Sequence, residues 1–230
     1  MAVRRAGIGL VVLDMAGTTV ADGGLVEEAF AAAARHLGEG PTAAMLDHVR
    51  ATMGESKISV FRHLFGDETR ARAANRAFEE AYGKLVATGR IAPLPGAADA
   101  IGRLRAEGRT VVLTTGFARV TQDAILDALG WRDLVELTLC PADTPGGRGR
   151  PYPDMVLAAL LRTGAADGVQ GVAVAGDTSY DMLSGVRAGA RVVAGVLTGA
   201  HGADALRAAG ATHVLGSVAE LPELLARVES

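Results

Sequence analysis

What most limits the fold of this chain is a set of short apolar runs that lack helical period. Ile8-Gly-Leu-Val-Val-Leu13 is the first, bounded by Asp14 and Gly17. Similar runs recur at Thr110–Leu113, Gly171–Ala175, Val192–Val196 and His213–Leu215. Continuous apolar runs of this length read as strands covered on both faces. Amphipathic helical patterns separate them, at Ala97–Glu107, Arg119–Leu129, Pro153–Arg162, Ser179–Ala188, Ala203–Ala209 and Val218–Val228. Strands alternating with such helices predict an α/β fold with a mostly parallel sheet.

One region breaks the alternation. From about Asp22 to Pro93 the sequence offers no strand, only helical patterns at Val26–Leu37, Thr42–Thr52, Ser56–Phe65 and Glu68–Ala87. Pro93-Leu-Pro95-Gly96 then supplies turn chemistry before the alternation resumes. The expected organisation is an α/β catalytic core of residues 1–21 and 94–230, with a helical cap of residues 22–93 inserted after the first strand. A length of 230 residues suits one such core with one insertion.

Composition removes several classes of function. The formal net charge is −3, with no basic excess to suggest a nucleic-acid binder. The single cysteine, Cys140, excludes an internal disulfide framework and fits a reducing cytoplasm. Arg4 and Arg5 before an apolar run superficially resemble a signal peptide, but the run stops at Asp14 and no cleavage pattern follows. No stretch is apolar for long enough to span a membrane. Of 23 basic residues only Lys57 and Lys84 are lysine. Arginine can replace lysine wherever charge alone is needed, but not where a deprotonatable amine is needed.

In an open α/β sheet, ligands bind outside the carboxyl ends of the strands. Those ends supply Asp14, then Thr114-Thr115-Gly116, then Asp177 within Gly176-Asp177-Thr178. Arg150, in Gly149-Arg150-Pro151-Tyr152-Pro153, stands in a loop before a helix and can reach the same crevice. Two carboxylates, a hydroxyl and one cation suit Mg²⁺ with a phosphoryl group, because Mg²⁺ takes hard oxygen ligands and shares them with substrate phosphate.

These segments also carry a family resemblance. Asp14-Met-Ala-Gly-Thr-Thr19, the Thr115-Gly116 strand end, Arg150-Pro151 and Gly176-Asp-Thr-Ser-Tyr-Asp181 resemble, in order, the four motifs of the haloacid dehalogenase superfamily. The resemblance implies a Rossmann-like core in which Asp14 attacks phosphorus and forms an aspartyl-phosphate. It implies Mg²⁺ held by Asp14, Asp177 and the backbone carbonyl of Ala16, with Thr115 and Arg150 on the phosphoryl oxygens. Asp181 is left with two roles, orienting a metal-bound water or anchoring Arg150.

Most phosphatases of that superfamily carry a second aspartate two residues after the nucleophile, as general acid and base. Here that residue is Ala16. General acid–base assistance is worth on the order of 10²–10⁴ in rate, so its loss asks for a replacement. Lys57, in Met53-Gly54-Glu55-Ser56-Lys57 of the insertion, offers one. An amine can condense with a substrate aldehyde, and the protonated imine is an electron sink that lets a carbon–phosphorus bond beta to it break. Together, Ala16 and the Met-Gly-x-x-Lys spacing are similar to the phosphonatase branch, which hydrolyses phosphonoacetaldehyde. That similarity implies substrate contacts from Met53, Gly54, Gly116 and Phe117. The chain departs from the branch at Val60, Phe117 and Gly24, where His, Tyr and Cys are usual.

The sequence leaves four readings open: C–P hydrolysis through Lys57, phosphomonoester hydrolysis with Lys57 only binding substrate, carbon–halogen cleavage, and non-catalytic binding of a phospholigand. Among other polar residues, His36, His48, His63, His201 and His213 are expected in ordinary surface or packing roles, with the cleft as an alternative for His63 six residues after Lys57, and Cys140 is expected to be inert. The run Ala29–Ala34 reads as tight helix packing, with a homodimer seam as one use for it.

Overall fold

The computed structural model describes residues 7–230, so Arg4 and Arg5 lie outside the described residues. In chain order the strands are β1 (Leu10–Asp14), β2 (Val20–Ala21), β3 (Ala92–Pro93), β4 (Thr110–Thr114), β5 (Leu137–Leu139), β6 (Val172–Gly176), β7 (Val192–Val196) and β8 (His213–Leu215). Six of them form one parallel sheet ordered β5-β4-β1-β6-β7-β8. Every residue of β1, β6 and β7 is buried, which is why those strands read as unbroken apolar runs.

The two faces of the sheet feed different cores. Val11, Leu13, Val111, Leu113, Ala173 and Ala175 point into the larger one, with Ile101 and Leu104 of α5 (Ala97–Ala106) and Ile125 of α6 (Arg119–Leu129). Leu10, Val12, Val112, Val172 and Val174 pack on the other face against Val156 and Ala159 of α7 (Asp154–Thr163). The period-two alternation of a strand is thus intact, with both faces apolar. Helices α8 (Ser179–Ala188), α9 (Ala203–Ala208) and α10 (Leu221–Glu229) complete the layers. No helix among the described residues is long and apolar enough to cross a membrane.

Between β2 and β3 lie α1 (Leu25–His36), α2 (Ala43–Ala51), α3 (Lys57–Phe65) and α4 (Glu68–Val86). Ala29 and Ala33 of α1, with Ala71, Ala74 and Phe78 of α4, are buried in one cluster. Ala31 and Ala32, by contrast, line a surface groove with Glu28, Arg35 and Lys84, so the alanine run is only partly a packing seam.

The region from Asp22 to Pro93 does contain a strand, contrary to the sequence reading. Val20 pairs with Pro93 and Ala21 with Ala92, antiparallel, so the two chain segments leading to and from α1–α4 are bonded to each other. The turn falls one step later, at Pro95-Gly96. Both strands are two residues long, too short to show a period. The edge strand β5, Leu137-Thr138-Leu139, is also missing from the sequence reading; its Thr138 interrupts the apolar run that marks the other strands.

Because β4 and β6 flank β1 on opposite sides, the chain reverses its direction of strand addition there. The carboxyl ends of β1, β4 and β6 open onto one crevice at this switch point.

Candidate active site

Asp14 is the last residue of β1, one position inside the strand rather than after it, and is 5% exposed. The following turn is fixed by Thr19 Oγ1, which donates to the Asp14 carbonyl at 2.9 Å. Arg150 reaches into the crevice and is equally buried. Its Nη2 lies 2.7 Å from Asp14 Oδ1 and donates to Thr114 Oγ1 at 2.7 Å. Its Nε lies 2.7 Å from Asp181 Oδ1. Asp181 Oδ2 accepts from the Thr178 amide at 3.1 Å and from the Thr178 hydroxyl, closing the N-terminal capping box of α8. Asp181 is thus ion-paired to Arg150, the contact that one of the two roles left open by the sequence requires.

Asp177 follows β6. Its Oδ1 accepts from Thr18 Oγ1 at 3.2 Å and its Oδ2 from the Ala200 amide at 2.8 Å. Thr115 accepts the Phe117 amide at 3.2 Å, and its own O–H proton has no partner among the described residues.

Three buried carboxylates therefore face one guanidinium. Burial pushes Asp14 well above the usual carboxylate range; Arg150 opposes this, and the charges of Asp181 and Asp177 add to it. Burial, then the charge of Asp181, pushes Asp177 up to about 6. Uncompensated negative charge on hard oxygen donors is what a divalent cation relieves, and the donor set fits Mg²⁺.

The lid over this crevice comes from the loop before α3. Gly54 has φ +93°, and a Cβ on it would stand 2.5 Å from Thr178 Oγ1. A Cβ on Gly116 would stand 2.7 Å from the Glu55 carbonyl oxygen. Gly116 thus meets the lid-loop backbone directly, and Gly54 packs on the Thr178 side chain, and at both places only glycine permits the approach.

Lys57 is the first residue of α3 and is 7% exposed. Its Nζ lies 5.3 Å from the Phe117 ring centre and 6.0 Å from that of Phe30. It has no hydrogen-bond or ion-pair partner among the described residues, and the side chain lines the cavity. Burial brings the amine down to about 8, against the pull of Asp22 and Asp14. A position in the first turn of a helix also disfavours the ammonium form.

The cavity enclosed by lid and core is about 490 Å³. Asp14, Ala16, Met53, Gly54, Lys57, Thr115, Gly116, Phe117, Arg150 and Asp177 all line it, whereas Asp181 stands behind Arg150. His63 does not: it is exposed, the surface role favoured from the sequence, and stacks on the half-buried His48 with ring centres 4.2 Å apart. Cys140 is buried, and burial pushes its thiol up, as expected of an inert cysteine.

Sequence reasoning missed other members of the wall. Asp22 lines the cavity, its Oδ1 accepting from the Tyr82 hydroxyl at 2.8 Å and its Oδ2 from the Val26 amide at 3.1 Å. Glu27 and Arg50 form a two-pronged pair at 2.8 and 2.7 Å across α1 and α2. Asp22 stands before Gly23-Gly24 and reads as a turn former, so its sequence carried no sign of a site.

An aspartate-ended parallel strand at a switch point, roofed by an inserted helical unit, defines a class of hydrolase. Residues 8–189 match the model of the haloacid dehalogenase-like hydrolases, and the chain belongs to that family. It is 30% identical over 209 residues to a protein of Dickeya dadantii named probable phosphatase IndB, covering 87% of this chain and 86% of that one. It is 32% identical over 164 residues to the phosphonoacetaldehyde hydrolase of Bacteroides fragilis, covering 60% of each. Among solved structures, a phosphonoacetaldehyde hydrolase-like protein from Oleispira antarctica superposes with a TM-score of 0.84 at 25% identity, covering 100% of this chain and 95% of that one.

Proposed function

We propose that this hydrolase cleaves the C–P bond of a small aldehyde phosphonate, phosphonoacetaldehyde or an analogue, through an imine on Lys57 and an aspartyl-phosphate on Asp14. The observation that carries the reading is the unpaired, buried Lys57 amine in the same cavity as Asp14. A lysine held near pH 8 keeps a usable fraction of neutral amine under ordinary conditions. The likeness to phosphonoacetaldehyde hydrolases supports it.

The neutral Nζ adds to the aldehyde carbon and water leaves, giving an imine that takes up a proton. An Asp14 oxygen then bonds to phosphorus while the C–P bond breaks. Its electron pair moves into the imine system to give an enamine. The enamine is protonated at carbon and hydrolysed, releasing the aldehyde product and Lys57. Water hydrolyses the aspartyl-phosphate to phosphate and restores Asp14. Arg150 and the Thr115 hydroxyl orient the phosphoryl oxygens, and Asp181 keeps Arg150 in place. Asp14, Asp177 and the Ala16 carbonyl are the residues that would hold Mg²⁺. That ion supplies neutralisation of charge on the transferring phosphoryl group.

The test is borohydride reduction in the presence of phosphonoacetaldehyde, followed by peptide mass analysis. A reduced adduct on the Lys57 peptide is expected. Phosphate release from phosphonoacetaldehyde without any adduct on Lys57 overturns the imine route.

A second reading, phosphomonoester hydrolysis, is favoured by one observation. The cavity, about 490 Å³, is also lined by Asp22, Glu27 and Arg50 and exceeds what a two-carbon phosphonate fills.

A further inference from the structure

Where an ester leaving group departs, the usual acid is replaced by Ala16, and the cavity wall holds few groups able to give a proton. Arg50 and Arg150 stay protonated at any working pH. The Glu27 carboxylate is gripped by Arg50 at 2.8 and 2.7 Å, and that hydrogen bonding holds it below the usual carboxylate range. Both oxygens of Asp22 already act as acceptors, toward the Tyr82 hydroxyl and the Val26 amide. Asp14 faces Arg150, and Asp177 is occupied by Thr18 and Ala200. Threonine hydroxyls are too weakly acidic. Lys57 alone among these lining groups has a transferable proton and no partner among the described residues.

We propose that Lys57 also serves as the general acid for phosphate esters, so that the same site hydrolyses phosphomonoesters with poor leaving groups. This rests on the reading of Asp14 as nucleophile. It gives Lys57 two uses, neutral as an imine former and protonated as an acid. An Asp14 oxygen bonds to phosphorus and the P–O ester bond breaks, its electron pair staying on the departing oxygen. That oxygen takes a proton from Nζ and leaves as the alcohol. Water then attacks the aspartyl-phosphate and gives its proton to the neutral amine. Phosphate, the Asp14 carboxylate and the Lys57 ammonium result. A donor works best near the operating pH, and burial brings Lys57 to about 8, with Asp22, Asp14 and Asp177 raising it and Arg150 lowering it.

The test compares glycerol 1-phosphate, whose alkoxide must be protonated, with 4-nitrophenyl phosphate, whose phenolate leaves unaided. The readout is the ratio of kcat/KM on the two substrates, which cancels losses of fold or of phosphate binding. Lys57→Arg keeps the positive charge without an available proton; Lys57→Met removes both. In both variants the alkyl-to-aryl ratio is expected to fall by roughly 10²–10³, the worth of a general acid. Adding Ala16→Asp to Lys57→Arg restores the ratio by supplying a carboxyl where most relatives carry one. A ratio that stays within about threefold of the unmodified chain in both variants overturns the proposal, because no acid catalysis is then being lost. Asp14→Asn tests the underlying reading separately. If aryl phosphate turnover survives that change, the nucleophile assignment fails, whatever the ratio does.

Discussion

Arg150 is held from behind by Asp181, Nε to Oδ1 at 2.7 Å, while its Nη2 meets Asp14 at the same distance. The Arg150–Asp181 contact locks a side chain that would otherwise have several rotamers, and fixes the guanidinium before any substrate arrives. Asp181 is itself held by the capping box of α8, so the orientation of the guanidinium in the crevice is set by a helix N-terminus.

Asp181→Asn is expected to leave the capping acceptor in place while removing the charge that holds Arg150. The kcat/KM on any accepted phospho-substrate should fall about 10²-fold, the scale of a misplaced binding group. Thermal unfolding should show a folded protein. Unchanged kinetics would mean that Asp14 and Thr114 suffice to position the guanidinium.

Lys57 should impose a pH profile on imine formation. Only the neutral amine adds to an aldehyde, and the folded-state value is about 8. Trapping by borohydride at fixed aldehyde should therefore increase about tenfold per pH unit below 8 and level off above it. Because 10.5, the ordinary value, exceeds the folded one, the unfolded chain binds the extra proton between them. Stability owed to Lys57 thus rises with pH across that window. Lys57→Met is expected to be more heat-stable than the unmodified chain at pH 7, and the gap should narrow from about pH 8 upward.

Gly116→Ala would bring a methyl group to 2.7 Å from the Glu55 carbonyl, an approach real side chains do not make. The lid loop must retreat, so KM should rise and kcat fall together, by tenfold or more, as gating changes do. Because the contact lies between lid and core and not inside either, Tm should fall by only a few degrees. A large loss of Tm with normal kinetics in the folded fraction would place the contact in the folding core instead.

Metal removal should abolish turnover of every substrate, and Mg²⁺ should restore it. A cation that relieves the repulsion among Asp14, Asp177 and Asp181 also binds the folded state selectively, so saturating Mg²⁺ should raise Tm. Asp177→Asn is expected to lose that increase. Full activity after exhaustive chelation would remove Mg²⁺ from the proposed mechanism and reopen carbon–halogen cleavage.

Much of this protein is written locally in its sequence. The strands β1, β6 and β7 are covered on both faces and so must be continuously apolar, which is a property of a few neighbouring residues. Asp14, Thr115 and Asp177 stand at strand ends, where a parallel sheet gathers ligand groups whatever the details of its packing. Amphipathic patterning placed α6 and α8 to the residue. What the sequence could not carry is anything decided by a partner far along the chain. The pairing of Val20 with Pro93 exists because two short segments pass each other, and neither has a pattern of its own. Asp22 stands in a cavity wall with its carboxylate held by the nearby Val26 amide and also by Tyr82, 60 residues later, a partner its local sequence does not announce. Lys57 shows the division most plainly. The sequence marked it by its spacing and by the scarcity of lysine. Only the folded chain surrounds the amine with Phe30 and Phe117, withholds a counter-ion, and lowers its proton affinity to a useful range. Residue type is local, but the free energy of a charge depends on everything packed within a few ångströms of it, and packing is settled by the tertiary structure.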